Sequence, residues 1–334
     1  MTKRATFMIL VAGSNITTAV SARLLSLTVT DAAGTHGDTV TLRIDDTDGH
    51  IILPAAGAPM IVALGWEGGG VRPVFTGTVD TVLSSGNAAS GRSMTITAKG
   101  FDATGKAKEG QQRHWDDATV REILEEAGSD AGISEVDVDP DLEDVQLEYF
   151  EMRDESFLHM GERLAHEIGG NFRIQGDTAI MSRRGGSYAP LVTAQWGANM
   201  HSWDLSPSIG RQLFGMVRSR WYDSGEGDWK DVEVETGIES DAVYFDRQPR
   251  ATEEEAEQQA KALADTIKRD AGGGTVVIEG SVAAVPDGIC IVLGARMGID
   301  GPYQIETVTH NVSGDGGWTT ALELKRPEAA ADAR

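Results

Sequence analysis

His159, Glu162, His166 and Glu167 lie close together in one helix-patterned segment, and they are the set in this chain most able to hold a metal ion. Zinc proteases place two histidines one helical turn apart as His-Glu-x-x-His; here they stand two turns apart with the carboxylates elsewhere, so solvated or interface histidines are expected. Asp116-Asp117 could be paired catalytic carboxylates for cell-wall hydrolysis. Adjacent helix positions diverge by about 100°, however, and capping of a following helix accounts for both. Cys290, the single cysteine, sits in the apolar run Ile289 to Leu293 and reads as a buried thiol. Gly272-Gly273-Gly274 follows a helix pattern instead of preceding one, so it is no phosphate cradle. Trp196, Trp203, Trp221 and Trp229 suit barrel seams or subunit interfaces better than glycan binding. No catalytic, cofactor or metal residue is expected, and the chain reads as a non-enzyme.

The elements that carry these residues change character along the chain. From Thr6 to Phe101, Leu25, Leu27 and Val29, then Val40, Leu42 and Ile44, alternate with polar residues, the period of a strand with one buried face. Turns at Ala33-Gly34, Asp48-Gly49, Gly68 to Gly70 and Ser85-Gly86-Asn87 suit antiparallel hairpins closing as a barrel or tight sandwich. After Gly105, Asp116 to Thr119 is expected to open a helix with Val120, Ile123 and Leu124 on its apolar face. A second helix is expected from Ser156 to Gly169-Gly170, and a hairpin about Gly176-Asp177. From Val192 strands return, interrupted by one helix from Thr252 to about Arg269, with Glu255 placed to complete a capping box. Its narrow stripe, Ala256, Ala260, Leu263, Ala264 and Ile267, predicts close packing on a sheet.

Length and charge limit the partners. A chain of 334 residues is expected to hold two or three packed units. With 52 acidic against 29 basic side chains and a net charge of -23, it repels polyanions, so specific DNA binding and adhesion to an anionic membrane are disfavoured. The acids keep the surface soluble; a sharper expectation is that some line a channel through which DNA slides. The apolar stretch Phe7 to Ala12 is short for a signal core, and no segment is apolar over a membrane's thickness.

The two β-rich ends echo each other. Pro54 to Gly65 parallels Pro286 to Gly294; Phe75 to Val82 and Met94 to Lys99 parallel Tyr303 to His310 and Thr320 to Lys325. A duplicated barrel with an α/β insert is the expectation. Three such chains would present six similar surfaces, and open strand edges would pair across subunits.

Several segments resemble the phage late control gene D proteins: Asp31 to Val40 with Leu42 to Asp46, Arg113 to Leu124, Glu155 to Leu158 with Arg163-Leu164-Ala165, Gly169 to Phe172, and Asp300 to Ile305 with Val308 and His310. The resemblance spans nearly the whole chain in order and weakens from about 210 to 248. It implies a mainly β fold with two tube-like antiparallel barrels, residues 1–104 and 192–327, related by duplication and separated by a mixed α/β domain over 105–191, with a flexible tail over 328–334. It also implies a homotrimeric baseplate hub of a contractile tail, similar to the base of type VI secretion spike proteins. Such a hub joins a six-fold tail tube, or its initiator, to a three-fold central spike, contacts the baseplate wedge proteins, and leaves a channel for DNA and tape-measure protein. Its place would be the virion baseplate, after assembly in the host bacterial cytoplasm. The competing reading is a tail-associated peptidoglycan hydrolase or a cell-wall glycan-binding module.

Overall fold

The structure, a computed structural model, describes residues 3–32, 38–88, 91–100, 109–175, 178–183, 191–207 and 213–326. The turns expected at Ala33-Gly34 and Gly176-Asp177 and the tail over 328–334 lie outside the described residues, as do the residues at the expected boundary after 104. The fold is mostly β, as the alternating patterns require. The first part comprises β1 (Ala5–Val11), β2 (Ser14–Asn15), α1 (Thr17–Ser21), β3 (Leu24–Ala32), β4 (Thr39–Asp45), β5 (Pro59–Trp66), β6 (Gly70–Asn87) and β7 (Gly91–Lys99). The middle part comprises β8 (Gln111–Thr119), α2 (Val120–Ala131), β9 (Glu135–Val138), α3 (Pro140–Glu143), β10 (Gln146–Glu155), α4 (Phe157–Ile168), β11 (Gly170–Gln175) and β12 (Thr178–Arg183). The last part comprises β13 (Leu191–Gln195), β14 (Met200–Ser206), β15 (Met216–Asp223), β16 (Asp228–Glu235), β17 (Val243–Phe245), α5 (Glu253–Asp270), β18 (Gly273–Glu279), β19 (Ile289–Leu293), β20 (Gly301–Ser313) and β21 (Trp318–Lys325).

The duplication shows in the strand pairing. In the first part the hydrogen-bonded order is β1-β5-β6-β7-β4-β3; in the last it is β13-β19-β20-β21-β18-β14, the same order of chain positions. Even the irregularities agree: bulges fall between Leu24 and Ser26 and between Met200 and Ser202, and again between Val79 and Thr81 and between Ile305 and Thr307. Gly57 donates its N–H to Val79 and Asp287 donates to Ile305, each from a left-handed backbone with φ of 79° and 64°. The echo of Met94–Lys99 with Thr320–Lys325 is therefore in register, whereas Gly57 corresponds to Asp287, one residue before the expected Gly288. One pairing differs: β1 runs antiparallel to β5, but β13 runs parallel to β19.

The two units share one 13-stranded sheet because β3 pairs antiparallel with β20. Trp318 of the second unit is buried in the first unit's core beside Leu27, Val29, Leu42 and Met60. Trp66 packs 5.0 Å from it, centroid to centroid, and donates its indole N–H to the Gly280 carbonyl at 2.9 Å.

The middle part has its own core, centred on Phe157, Met160, Leu164 and Phe172. Ser156 caps α4 by accepting from the His159 N–H, and Gly169 at φ 73° ends it, as the sequence predicts. Gly161 leaves room for the Phe172 ring, which a Cβ would meet at 2.3 Å. The expected Asp116–Thr119 helix start is corrected. Asp116 and Asp117 belong to strand β8, which pairs with β10, and Thr119 caps α2 in a capping box with Glu122.

Residues 216–270 form a further insert between β14 and β18, at the position of the short β3–β4 connection in the first unit. Its three strands pair in the order β16-β15-β17, and the Ala260, Leu263 and Ala264 stripe of α5 packs on Val217. The small-residue stripe thus meets a sheet, but this small one. Thr252 caps α5, while the Glu255 carboxylate accepts from Ala251 and from Glu148 of the middle part instead of closing a box on Thr252.

Candidate functional site

The candidate chemistry is dispersed. Glu167 of α4 is held by Arg163 at 3.4 Å and by Arg250 of the insert at 3.6 Å, so it ties the middle part to the insert. His159 is 3.7 Å from Glu155 and largely exposed, and Arg163 occupies the other side of that carboxylate. Among the described residues no group of three or more His, Cys, Asp or Glu side chains is placed to hold a metal ion. Asp116 lies 3.9 Å from His114 on an exposed strand, and Asp117 has a left-handed backbone, φ 50°. Burial pushes the Cys290 thiol up to about 12, far from the thiolate a nucleophile needs. Gly273 and Gly274 permit close strand approach: a Cβ would stand 2.2 Å from the Leu324 oxygen and 2.0 Å from the Asp204 oxygen, respectively. Of the four tryptophans considered, Trp203 is half-buried against Trp196, centroids 4.6 Å apart, while Trp196 and Trp229 are each 50% exposed.

What the structure does assemble is a polar face on the shared sheet. Each strand turns one side to a core, and the opposite sides align by register into rows. One row runs Glu279, Thr319, Asn311, Thr28, Thr41, Thr97, Thr81 across seven strands and both units. A neighbouring row runs Ser202, Val277, Ala321, Thr309, Thr30, Thr39, Lys99. Hydroxyls bridge strands along these rows: Thr28 donates to Asn311 at 3.0 Å, Thr81 meets Thr97 at 2.6 Å, and Ser85 meets Ser93 at 3.1 Å. Such cross-strand pairs contribute roughly 0.2–1 kcal/mol each and keep the face wettable with few charges. Sequence patterning missed this face because each strand contributes only a few hydroxyls, β18 a single one; their alignment exists only once register is set.

At a junction of the three parts acidic groups come together half-buried. Asp31 on β3 and Asp38 before β4 face each other, with Arg173 of β11 and Asp287 close by, and Asn171 donates to Asp287. Burial, then the neighbouring Asp38 charge, pushes the Asp31 carboxyl up to about 8, while burial raises Asp38 as well. The raised Asp31 carboxyl is thereby placed to share a proton with Asp38. At the unit seam, His310 shares a 2.9 Å hydrogen bond with Thr320, and burial depresses its imidazole to about 4.

Two barrel-like units on one sheet, with a mixed middle part, define a fold shared with phage-type tail proteins. The tail protein from Neisseria meningitidis MC58 superposes with a TM-score of 0.75, 14% identity and 97% of each chain covered. The E. coli c3393 protein, a component of the type VI secretion system, superposes at 0.57 with 12% identity over 93% of this chain and 75% of that one. In sequence, the chain is 24% identical over 96% of its length, and 92% of the relative's, to the "Probable baseplate hub protein" of Escherichia phage 186. No family model matches the chain. The relationship to phage baseplate hub proteins implied by the sequence resemblance is thus borne out.

Proposed function

We propose that this chain is a structural hub in the tail baseplate of a contractile phage or phage-like injection particle, and that it acts by assembly and not by catalysis. Three copies form a ring whose six similar units meet a six-fold tail tube above. The middle parts and inserts, one per copy, keep three-fold symmetry for the central spike below and for the wedge proteins. The hydroxyl rows line the channel for DNA and tape-measure protein, and the ring assembles in the host cytoplasm before joining the virion.

The observation that carries this reading is the pair of units with one strand order and matching bulges, joined edge to edge within one chain. Twice three is six, so a three-copy ring resolves a mismatch between three-fold and six-fold partners. The channel reading rests on the hydroxyl face more than on the acidic excess. Among the described residues the basic side chains Arg43 and Lys99 of this face stand apart, and Lys99 is paired with Asp80 at 3.0 Å, so passing phosphates are held weakly by counterion release.

Sedimentation equilibrium of the full chain across concentration tests the ring. The expected mass is three times 35.6 kDa, about 107 kDa. A 35.6 kDa species at every concentration would overturn the proposal.

A further inference from the structure

The internal seam specifies how a second copy should bind. At that seam β3 lies against the half of β20 that β19 has left: β19 pairs with Gly301 to Gln304, and β3 then takes Thr307 to Ser313 on that side. In β6 a strand likewise leaves one side partway along. There β5 pairs with Gly70 to Thr78, and β7 takes the other side as far as Asn87. Among the described residues no strand takes the side of Thr81 to Gly86 that β5 has left. Correspondingly β14, the counterpart of β3, pairs with β18 on one side, and among the described residues no strand lies along the other from His201 to Leu205. The described residues thus hold one internal seam and one unmatched example of each edge that makes it.

The bulges fix the correspondence. Counting from them, Thr309, His310, Asn311 and Val312 of β20 match Leu83, Ser84, Ser85 and Gly86 of β6, while Leu27, Thr28 and Val29 of β3 match Trp203, Asp204 and Leu205 of β14. We infer that β14 of one copy pairs antiparallel with the far half of β6 of the next copy, with Ser84 opposite Leu205, Ser85 opposite Asp204 and Gly86 opposite Trp203.

Side chains at these positions complement each other as they do internally. Within the chain, Thr28 donates to Asn311 on the polar face. Across copies, the Ser85 hydroxyl faces the Asp204 carboxylate, donor and acceptor having exchanged strands. On the core side Leu27 stands opposite Val312, and both are buried. Across copies the larger Trp203 meets Gly86, whose missing side chain leaves the space. Leu83 is 61% exposed in the single chain and lies at the edge this pairing covers. Because the two edges differ, the contact is head-to-tail. Each copy uses both edges once, and with three copies per ring the repeated step closes after the third. Pairing also removes two open strand edges, a recognised aggregation hazard.

This inference rests on the three-copy reading and adds its register. The test is disulfide trapping in the full chain carrying Ser85→Cys and Asp204→Cys, with buried Cys290 left in place and the sedimentation mass measured alongside. Residues directly opposite have Cβ atoms about 4.5–5.5 Å apart against about 7–8 Å on the diagonal. Mild oxidation should therefore give a ladder of two and three linked chains, formed at least about tenfold faster than with Ser85→Cys and Ser202→Cys. Faster linking of the offset pair would overturn the register. Covalent dimers from either single variant alone would overturn head-to-tail pairing. A three-chain mass with no linking would overturn the seam while leaving the ring, whereas a single-chain mass would remove both.

Discussion

Replacing Trp318 by alanine should cost about 3–5 kcal/mol of folding stability, read as a shift of the urea midpoint, because it empties the joint between the two units. The ring is 4% exposed, 5.0 Å from Trp66 and 5.8 Å from His310, and it presses on Gly280, where a Cβ would stand 2.0 Å from it. Trp66 is tied by its indole N–H to the Gly280 carbonyl at 2.9 Å, and Gly280 has no side chain, so refilling the void would break that hydrogen bond. The indole N–H of Trp318 finds no acceptor among the described residues. Trp318→Phe, which removes that unsatisfied donor and keeps an aromatic ring, should cost less than half as much. A loss below about 1 kcal/mol for the alanine variant would mean that the units do not depend on this joint.

Stability should stay nearly level from about pH 5.5 to 6.5 and then fall by about 2 kcal/mol between pH 6.5 and 8. Two groups set this shape, buried His310 and half-buried Asp31. His310 is depressed from 6.5 to about 4, so across that window the unfolded chain binds the extra proton and stability rises with pH. Asp31 is raised from 3.8 to about 8, so the folded chain holds the extra proton and stability falls as pH rises through that range. The slopes oppose each other up to pH 6.5; above it Asp31, with its raised neighbour Asp38 acting in the same sense, lowers stability by at most about 1.4 kcal/mol per pH unit for each proton held. The charges that face it are Asp38, Asp287 and Arg173, from three separate segments. Asp31→Asn should flatten the curve above pH 6.5 in urea titrations, and an unchanged slope would show that the junction does not hold the proton.

Much of the architecture was legible where the chain obeys a local period. Val40, Leu42 and Ile44 point inward as their alternation predicts, and α4 runs between its cap Ser156 and Gly169. Local irregularity defeated the pattern elsewhere. The bulge at Leu24–Ser26 turns Leu24 inward and leaves Leu25 46% exposed, reversing the expected role of Leu25. In β8 the run Gln111 to Thr119 is mostly polar, and its pairing with β10 supplied a strand where acidic residues suggested a helix start. The interface features were harder still. Thr28 meets Asn311 across 283 residues of sequence, and nothing local marks either as a seam residue. The echo between the ends could be seen, but its meaning as matched edges needed the register.

The most direct measurement is electron cryomicroscopy of the assembled particle at the lower end of its tail tube. The account predicts three copies of this chain there, with six sheet units forming a continuous inner wall, β14 of each copy beside β6 of the next, and the Thr28, Thr41 and Thr97 row facing the channel. A density with this chain outside the tube axis, or a ring whose inner wall lacks six similar units, would contradict it.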